Sequence, residues 1–208
     1  IRRQRQMCIR DSCVIIAAGF PGVSGTADGD LGVNVRLNEP VGMMRNESSG
    51  ELFFGDFVNC AVRRMDTSGV VTRVLGTPGT CGYSGDGGAA TSALVDGPHD
   101  LALATHDGLG GFLVLEWNSR IVRRVFGNGT VRTVAGIAGS TGALSGDFGP
   151  AASATFNRPI GVFPSPDGSL WVSDYSGNTV RRIWSNGYVQ PRLPSPAGDR
   201  HDTRARTL

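Results

Sequence analysis

The chain has 208 residues, 39% of them hydrophobic, with 31 Gly against 9 Phe, 3 Trp and 3 Tyr, and a formal net charge of +2. That length allows one core or two small ones, and the charge is too small to point by itself to nucleic acid or a membrane surface. No apolar run approaches the roughly 20 residues needed for a membrane-spanning helix, and so much glycine favours short strands and turns over long helices.

Ile1 to Ser12 (IRRQRQMCIRDS) has no usable periodicity, resembles a translated sequencing adapter, and is set aside as a non-native or disordered leader, residues 1–12. Cys13 then opens CVIIAAG, in which Val14 to Ala18 matches only the last strand of the units that follow, an orphan outer strand. A Gly-rich stretch runs from Ala17 to Pro40 (AAGFPGVSGTADGDLGVNVRLNEP) and returns from Val74 to Pro98 and from Val134 to Pro159. Pro40, Pro98 and Pro159 lie 58 and 61 residues apart; Asp56, Glu116 and Asp174 lie 60 and 58 apart, as do Gly69, Gly129 and Gly187. Fixed points recurring at this scale mark a repeat architecture.

Each unit reads as four strands. PVGMM, PHDLALA and PIGVF open it, with Pro at the first strand position, where a missing N–H does least harm. A Gly-containing turn leads to LFFGD, FLVLE or LWVSD; then come AVRRM, IVRRV or TVRRI, a TSG, GNG or SNG turn, and VVTRVLG, TVRTVAG or YVQPRL. Asn-Gly between β-branched residues is the strongest of these hairpin signals. The units occupy residues 40–76, 98–136 and 159–192, and four meandering antiparallel strands make a propeller blade. Pro194 to Leu208 has no strand pattern and reads as a disordered tail, 194–208.

An acid six residues before Val-Arg-Arg recurs in all three units: Asp56 to Val62, Glu116 to Val122 and Asp174 to Val180. This resembles the NHL repeat family over roughly Val14 to Arg192, although Gly177 stands where the family usually has Asn. The resemblance implies an all-β NHL-type propeller domain, here 13–193, with three blades present as half of a six-bladed ring. The chain then starts and stops inside a larger propeller, or two copies associate to complete one. NHL propellers serve as extracellular sensor or adhesion domains, and some bind RNA.

A propeller unit needs about 40 to 45 residues, and these units use about 60. The excess is the Gly-rich connection, 21 residues from Thr77 to Gly97 and 22 from Ile137 to Arg158. Following the meander, it emerges on the same side as the loops after Asp56, Glu116 and Asp174, which is expected to be the partner face. Asp28, Asp86 and Asp147 recur in it because Asp suits turn geometry, and Gly85 and Gly87 because glycine accepts positive φ. Calcium held by Asp28, Asp30 or Asp86 is the weaker alternative, since the EF-hand spacing is absent.

The Arg pairs Arg63/Arg64, Arg123/Arg124 and Arg181/Arg182 alternate between strand faces, so one of each pair could join a basic track, while the simpler reading pairs them with nearby carboxylates. Few aromatics interleave with them, which disfavours nucleic acid. His99, with Asp100, His106, Asp107 and Glu116 near in sequence, invites a metal; but amidating lyases with related propellers need His from several blades, and Val41 and Ile160 stand at the matching positions here. Cys60 and Cys81 fall in loops on one face and can pair in an oxidising compartment. Asn46-Glu47-Ser48 and Asn128-Gly129-Thr130 match the N-glycosylation acceptor on turns, so an extracellular location is favoured. No catalytic set and no cofactor motif appears.

The expected function is a non-catalytic module that binds a protein, peptide or glycan through Tyr83, Ser84, Asp86, His99, Trp117 and Asn118, with Trp171 in the core. A metal-dependent propeller lyase or hydrolase is the alternative, and RNA binding comes third.

Overall fold

A computed structural model describes residues 17–104 and 109–190. The leader 1–12, the tail 194–208, Cys8, Cys13, Val14 to Ile16, His106 and Asp107 lie outside the described residues. The fold is all-β and β-propeller-like: three antiparallel sheets in sequence, with only three single-turn 3-10 helices among the described residues.

The first sheet contains β2 (Pro40–Arg45), β3 (Leu52–Asp56), β4 (Ala61–Met65) and β5 (Val70–Gly76), with β1 (Asp30–Leu31) added outside β5. The second is the meander β6 (Pro98–Leu103), β7 (Phe112–Glu116), β8 (Ile121–Val125) and β9 (Val131–Ala135). The third is β10 (Pro159–Pro164), β11 (Leu170–Asp174), β12 (Thr179–Ile183) and β13 (Val189–Gln190). Ala17 and Ala18 are not in a strand; the segment that reaches the outer edge of the first sheet is β1. Most of the expected orphan strand, Val14 to Ile16, lies outside the described residues, and the edge partner of the first sheet comes from the Gly-rich stretch.

Side chains alternate between the two faces of each sheet, as the period of two requires. Phe112 and Val114 face the first sheet and pack with Met44, Phe53, Val62 and Leu75, whereas Leu113 and Leu115 face the third and pack with Val162, Val172 and Ile183. Each junction also takes the 3-10 turn of the preceding connection, Ala90 and Ala93 in one case and Ala151 and Ala154 in the other. Inner strands lie side by side in one direction: a Cβ on Gly42 would come within 2.2 Å of His99 O, and Val162 N–H donates to Asp100 at 2.8 Å.

The expectation that the long connections crowd one end of the blades is not met along their length. Each runs along the outer strand of the blade it leads into. In the second blade Gly87 N–H donates to Val131 O (2.7 Å), Val131 N–H to Gly88 O (3.1 Å) and Ala90 N–H to Gly129 O (2.8 Å). Gly29 and Gly32 do the same to Val71 and Gly69, and Phe148 and Ala151 to Val189 and Gly187, at 2.7–2.8 Å. The connection is a strap that occupies the hydrogen-bonding edge an outer strand otherwise leaves open. That use of the extra residues accounts for a unit longer than an ordinary blade.

The strap geometry demands a left-handed residue after the recurring Asp. Gly29 and Gly87 fill it at φ +79° and +85°, but Phe148 sits there at φ +63°. A bulky side chain in that region is strained by about 1–3 kcal/mol. Phe148→Gly is expected to raise stability by about 1 kcal/mol, and Gly87→Ala to lower it by a similar amount. Urea unfolding midpoints check both; a destabilised Phe148→Gly would mean that the ring, 74% exposed, contributes more than its backbone costs.

Candidate functional site

The first arginine of each pair is buried and joins blade to strap. Arg63 Nε meets Asp56 at 3.0 Å and its Nη1 meets Asp28 at 3.3 Å, with Thr26 O accepting a further bond. Arg123 lies 2.6 Å from Asp86 and 3.5 Å from Glu116, and donates to Ser84 O and Leu94 O at 2.9 Å. Arg181 reaches Asp147, Ser145 O and Thr155 O, each at 2.7 Å. The strand acids also hold the incoming chain, accepting the N–H of Asn38, Asp96 and Asn157, two residues before each opening Pro. Asp28, Asp86 and Asp147 thus recur as ion-pair partners of buried arginines, which corrects the turn-only reading. A guanidinium with five donors in a fixed fork suits one side chain bridging a carboxylate and several loop carbonyls.

The second arginines face the other way. Arg64 pairs with Glu51 at 3.4 Å, Arg124 Nη2 donates to Gly110 O at 3.0 Å, and Arg182 pairs with Asp167 while lying 3.6 Å from the Trp184 ring centroid. The buried arginines are closed to phosphate groups.

The candidate residues fall into two sets. Tyr83, Ser84 and Asp86 belong to the strap beside the second blade: Tyr83 Oη lies 3.2 Å from Asp86 and 3.1 Å from Thr133 Oγ1, and its ring is 5.2 Å from the Arg123 guanidinium. His99, Trp117 and Asn118 sit on the end carrying the turns between second and third strands. Phe57, from the first blade, completes a cluster there, with ring centroids 6.2 Å from His99 and 6.3 Å from Trp117, and 4.8 Å between His99 and Trp117. His99 Nδ1 lies 3.0 Å from Ile160 O, and Asn118 donates to Asp96 at 2.8 Å. Sequence reasoning missed Phe57, although it, Trp117 and Tyr175 each follow the strand acid in their units. That spacing was the available signal. Trp171, expected in the core, is half-buried on the far face of the third sheet, donating its indole N–H to Ser165 Oγ at 2.9 Å.

Cys60 and Cys81 form a disulfide, Cα to Cα 5.2 Å, fastening the start of the strap to the turn after Asp56. In the next unit Arg120 takes the place of Cys60 and donates to Ser140 O, so an ionic donor makes the equivalent link.

For metals, Asp28 and Asp86 are committed to arginines, and Asp30 accepts from Leu31 N–H and Asn34. Among the described residues the one set of three potential ligands is Cys60, Cys81 and Asp96, and its sulfurs are joined to each other. No candidate residue lines the cleft of about 620 Å³ at the opposite end, which is bounded by Leu113, Arg124, Pro164, Ile183 and Trp184.

The fold is similar to those of auxiliary nutrient binding proteins from Bacteroides ovatus (TM-score 0.59, 17% identity, 78% of this chain and 40% of that one) and Bacteroides thetaiotaomicron (0.57, 17%, 67% and 36%). It is also similar to that of a virginiamycin B lyase from Staphylococcus aureus (0.50, 15%, 79% and 44%). The chain spans about two-fifths of the length of these proteins. No family profile and no curated protein matches its sequence. No helix among the described residues is long and apolar enough to cross a membrane.

Burial pushes the Glu116 carboxyl up to about 7, against the lowering pull of Arg123, the Asp96 N–H and Ser119. Partial burial also raises Asp86, but its bonds from Thr133 and the charge of Arg123 outweigh that and hold it below the usual carboxylate range. Arg123 is therefore balanced chiefly by Asp86. Because the Glu116 value is raised on folding, its contribution to stability is complete below about 4.5 and lost as pH rises to about 7. Glu116→Gln should remove that decline, measured as urea midpoints at pH 4.5 and 8; an unchanged slope would contradict this assignment.

Proposed function

We propose that the three sheets are blades of a six-bladed NHL-type propeller, acting outside the cell as a non-catalytic module that binds a protein, peptide or glycan. The ring reading is supported by the two open faces. Phe163 and Val180 on the third sheet are 64% and 58% exposed, whereas their counterparts Met44 and Val62 are 8% and 0% exposed beneath the second blade. Met43 on the first sheet is 71% exposed, and its counterparts Leu101 and Val162 are buried. These are the positions at which further blades of the same design dock. The disulfide supports an oxidising compartment.

The observation that carries the binding reading is the Phe57–His99–Trp117 cluster, half-exposed on the end where Asn118 and Asp96 add hydrogen-bonding groups and Tyr175 adds a fourth ring. Large rigid rings beside polar groups supply anchor area at low entropic cost. Nearby acids are occupied in holding the blade. The strap residues Tyr83, Ser84 and Asp86 form a secondary contact region.

A metal-dependent lyase or hydrolase is the second reading. His99 favours it: its Nε2 has no hydrogen bond among the described residues, and Asp100 lies next to it at the inner strands. The shared fold favours neither reading, since nutrient-binding proteins and a lyase both have it. Stoichiometric zinc or calcium in the complete propeller, lost in His99→Ala, would support the enzyme.

Glycan and peptide arrays probed with the purified chain test the binding reading. Trp117→Ala is expected to weaken every specific signal at least tenfold, and Tyr83→Ala to weaken it less. Signals unchanged in Trp117→Ala would overturn the assignment of this face.

A further inference from the structure

We propose that Asn128 and Asn46 carry N-linked oligosaccharides, both on the end of the blades opposite the Phe57–His99–Trp117 cluster. The proposal rests on the extracellular placement given above. Asn128 lies in the turn from β8 to β9 and Asn46 in the turn from β2 to β3, whereas the aromatic cluster lies at the turns from β3 to β4 and β7 to β8. In an antiparallel meander these two kinds of turn emerge at opposite ends.

The local geometry favours both acceptors. Asn128 Oδ1 accepts the Thr130 N–H at 3.0 Å and its hydroxyl at 2.8 Å. Asn46 Oδ1 accepts the Ser48 N–H at 3.1 Å and its hydroxyl at 2.7 Å. No hydrogen bond engages Nδ2 of either residue among the described residues, and Asn128 is exposed.

The turn alone does not require the hydroxyl. In the third unit Asn186 makes the same bond to the N–H of Tyr188, and in the first Val70 occupies the position of Thr130. Thr130 adds the group that completes an Asn-X-Thr acceptor. On the aromatic end, Asn59 and Asn118 have Ala61 and Arg120 two residues on, so neither is an acceptor. Bulky polar glycans would then cover the end away from the candidate partner site and leave that site open.

The transfer is a substitution without redox change. The asparagine Nδ2 loses one proton and bonds to C1 of an oligosaccharide, and the lipid pyrophosphate that carried the sugar leaves. The disulfide is the independent sign that the chain passes through a compartment where such donors are used.

The test is expression of the full chain behind a secretion leader in eukaryotic cells, with secreted and cell-associated protein both analysed by mass before and after peptide-N-glycosidase. The expected result is two glycans, one lost in Thr130→Val, one in Ser48→Ala, both in the double variant, and neither in Thr130→Ser. Val is already used at this turn in the first unit, so Thr130→Val is expected to fold. A chain with no glycosidase-sensitive mass, or one whose modification survives Thr130→Val and Ser48→Ala together, would overturn the proposal. An unmodified chain that still contains the Cys60–Cys81 bond would reject glycosylation while leaving the extracellular reading intact.

Discussion

A buried guanidinium between a strand and a strap is the constraint on which the blades depend. Arg63, Arg123 and Arg181 are almost wholly removed from water, which is tolerable only if the charge is balanced and most of the donors find acceptors. Strap carboxylates and carbonyls balance the charge and take most of the donors in each unit, joined in the first two by the strand acid, while Arg63 Nη1, Arg123 Nε and Arg181 Nε make no hydrogen bond among the described residues. Removing either partner would leave a charge buried without compensation, so the strap and the blade are held as one unit. The strap in turn occupies the free edge of the outer strand, and its 3-10 turn contributes alanines to the junction with the preceding blade.

This arrangement separates structural from available chemistry. Asp56, Glu116, Asp174 and the strap aspartates look like a functional set by residue type, yet their oxygens are occupied by arginines and main-chain N–H groups. What is left open at one end is aromatic: Phe57, His99, Trp117 and Tyr175, with Asn118 and Asp96 beside them. The disulfide at Cys60 and the Arg120 link fasten the turns on which those rings stand. A rigid aromatic surface is what the proposed binding reading requires of this end.

Much of the architecture was legible because sheets impose a period of two and the unit repeats. The opening prolines, the paired arginines and the Asn-Gly turns each locate a strand end without reference to tertiary contacts. The path of the long connection was not legible, since hydrogen bonds to an outer edge use main-chain groups that glycine, serine and alanine all carry. Asp86 was therefore assigned to a turn, although an Asp precedes the buried arginine by 34 to 37 residues in every unit. Tyr83 and Trp117 were grouped as partners because both lie in loops, but the strap carries Tyr83 to Thr133 at the blade side and leaves Trp117 with Phe57. Phe57 was overlooked because an isolated Phe after a strand reads as core until its counterparts in the other units are aligned.

The most direct test of this account is amide hydrogen exchange in Asp86→Asn, which neutralises the strap carboxylate while leaving Arg123 and Glu116 in place. The account predicts that Gly87, Ala90, Val131 and Thr133 lose protection together, by tenfold or more, while the amides between β6 and β7 keep theirs. Unchanged protection at Gly87 and Thr133 would contradict it and mean that the strap holds its edge without the buried arginine.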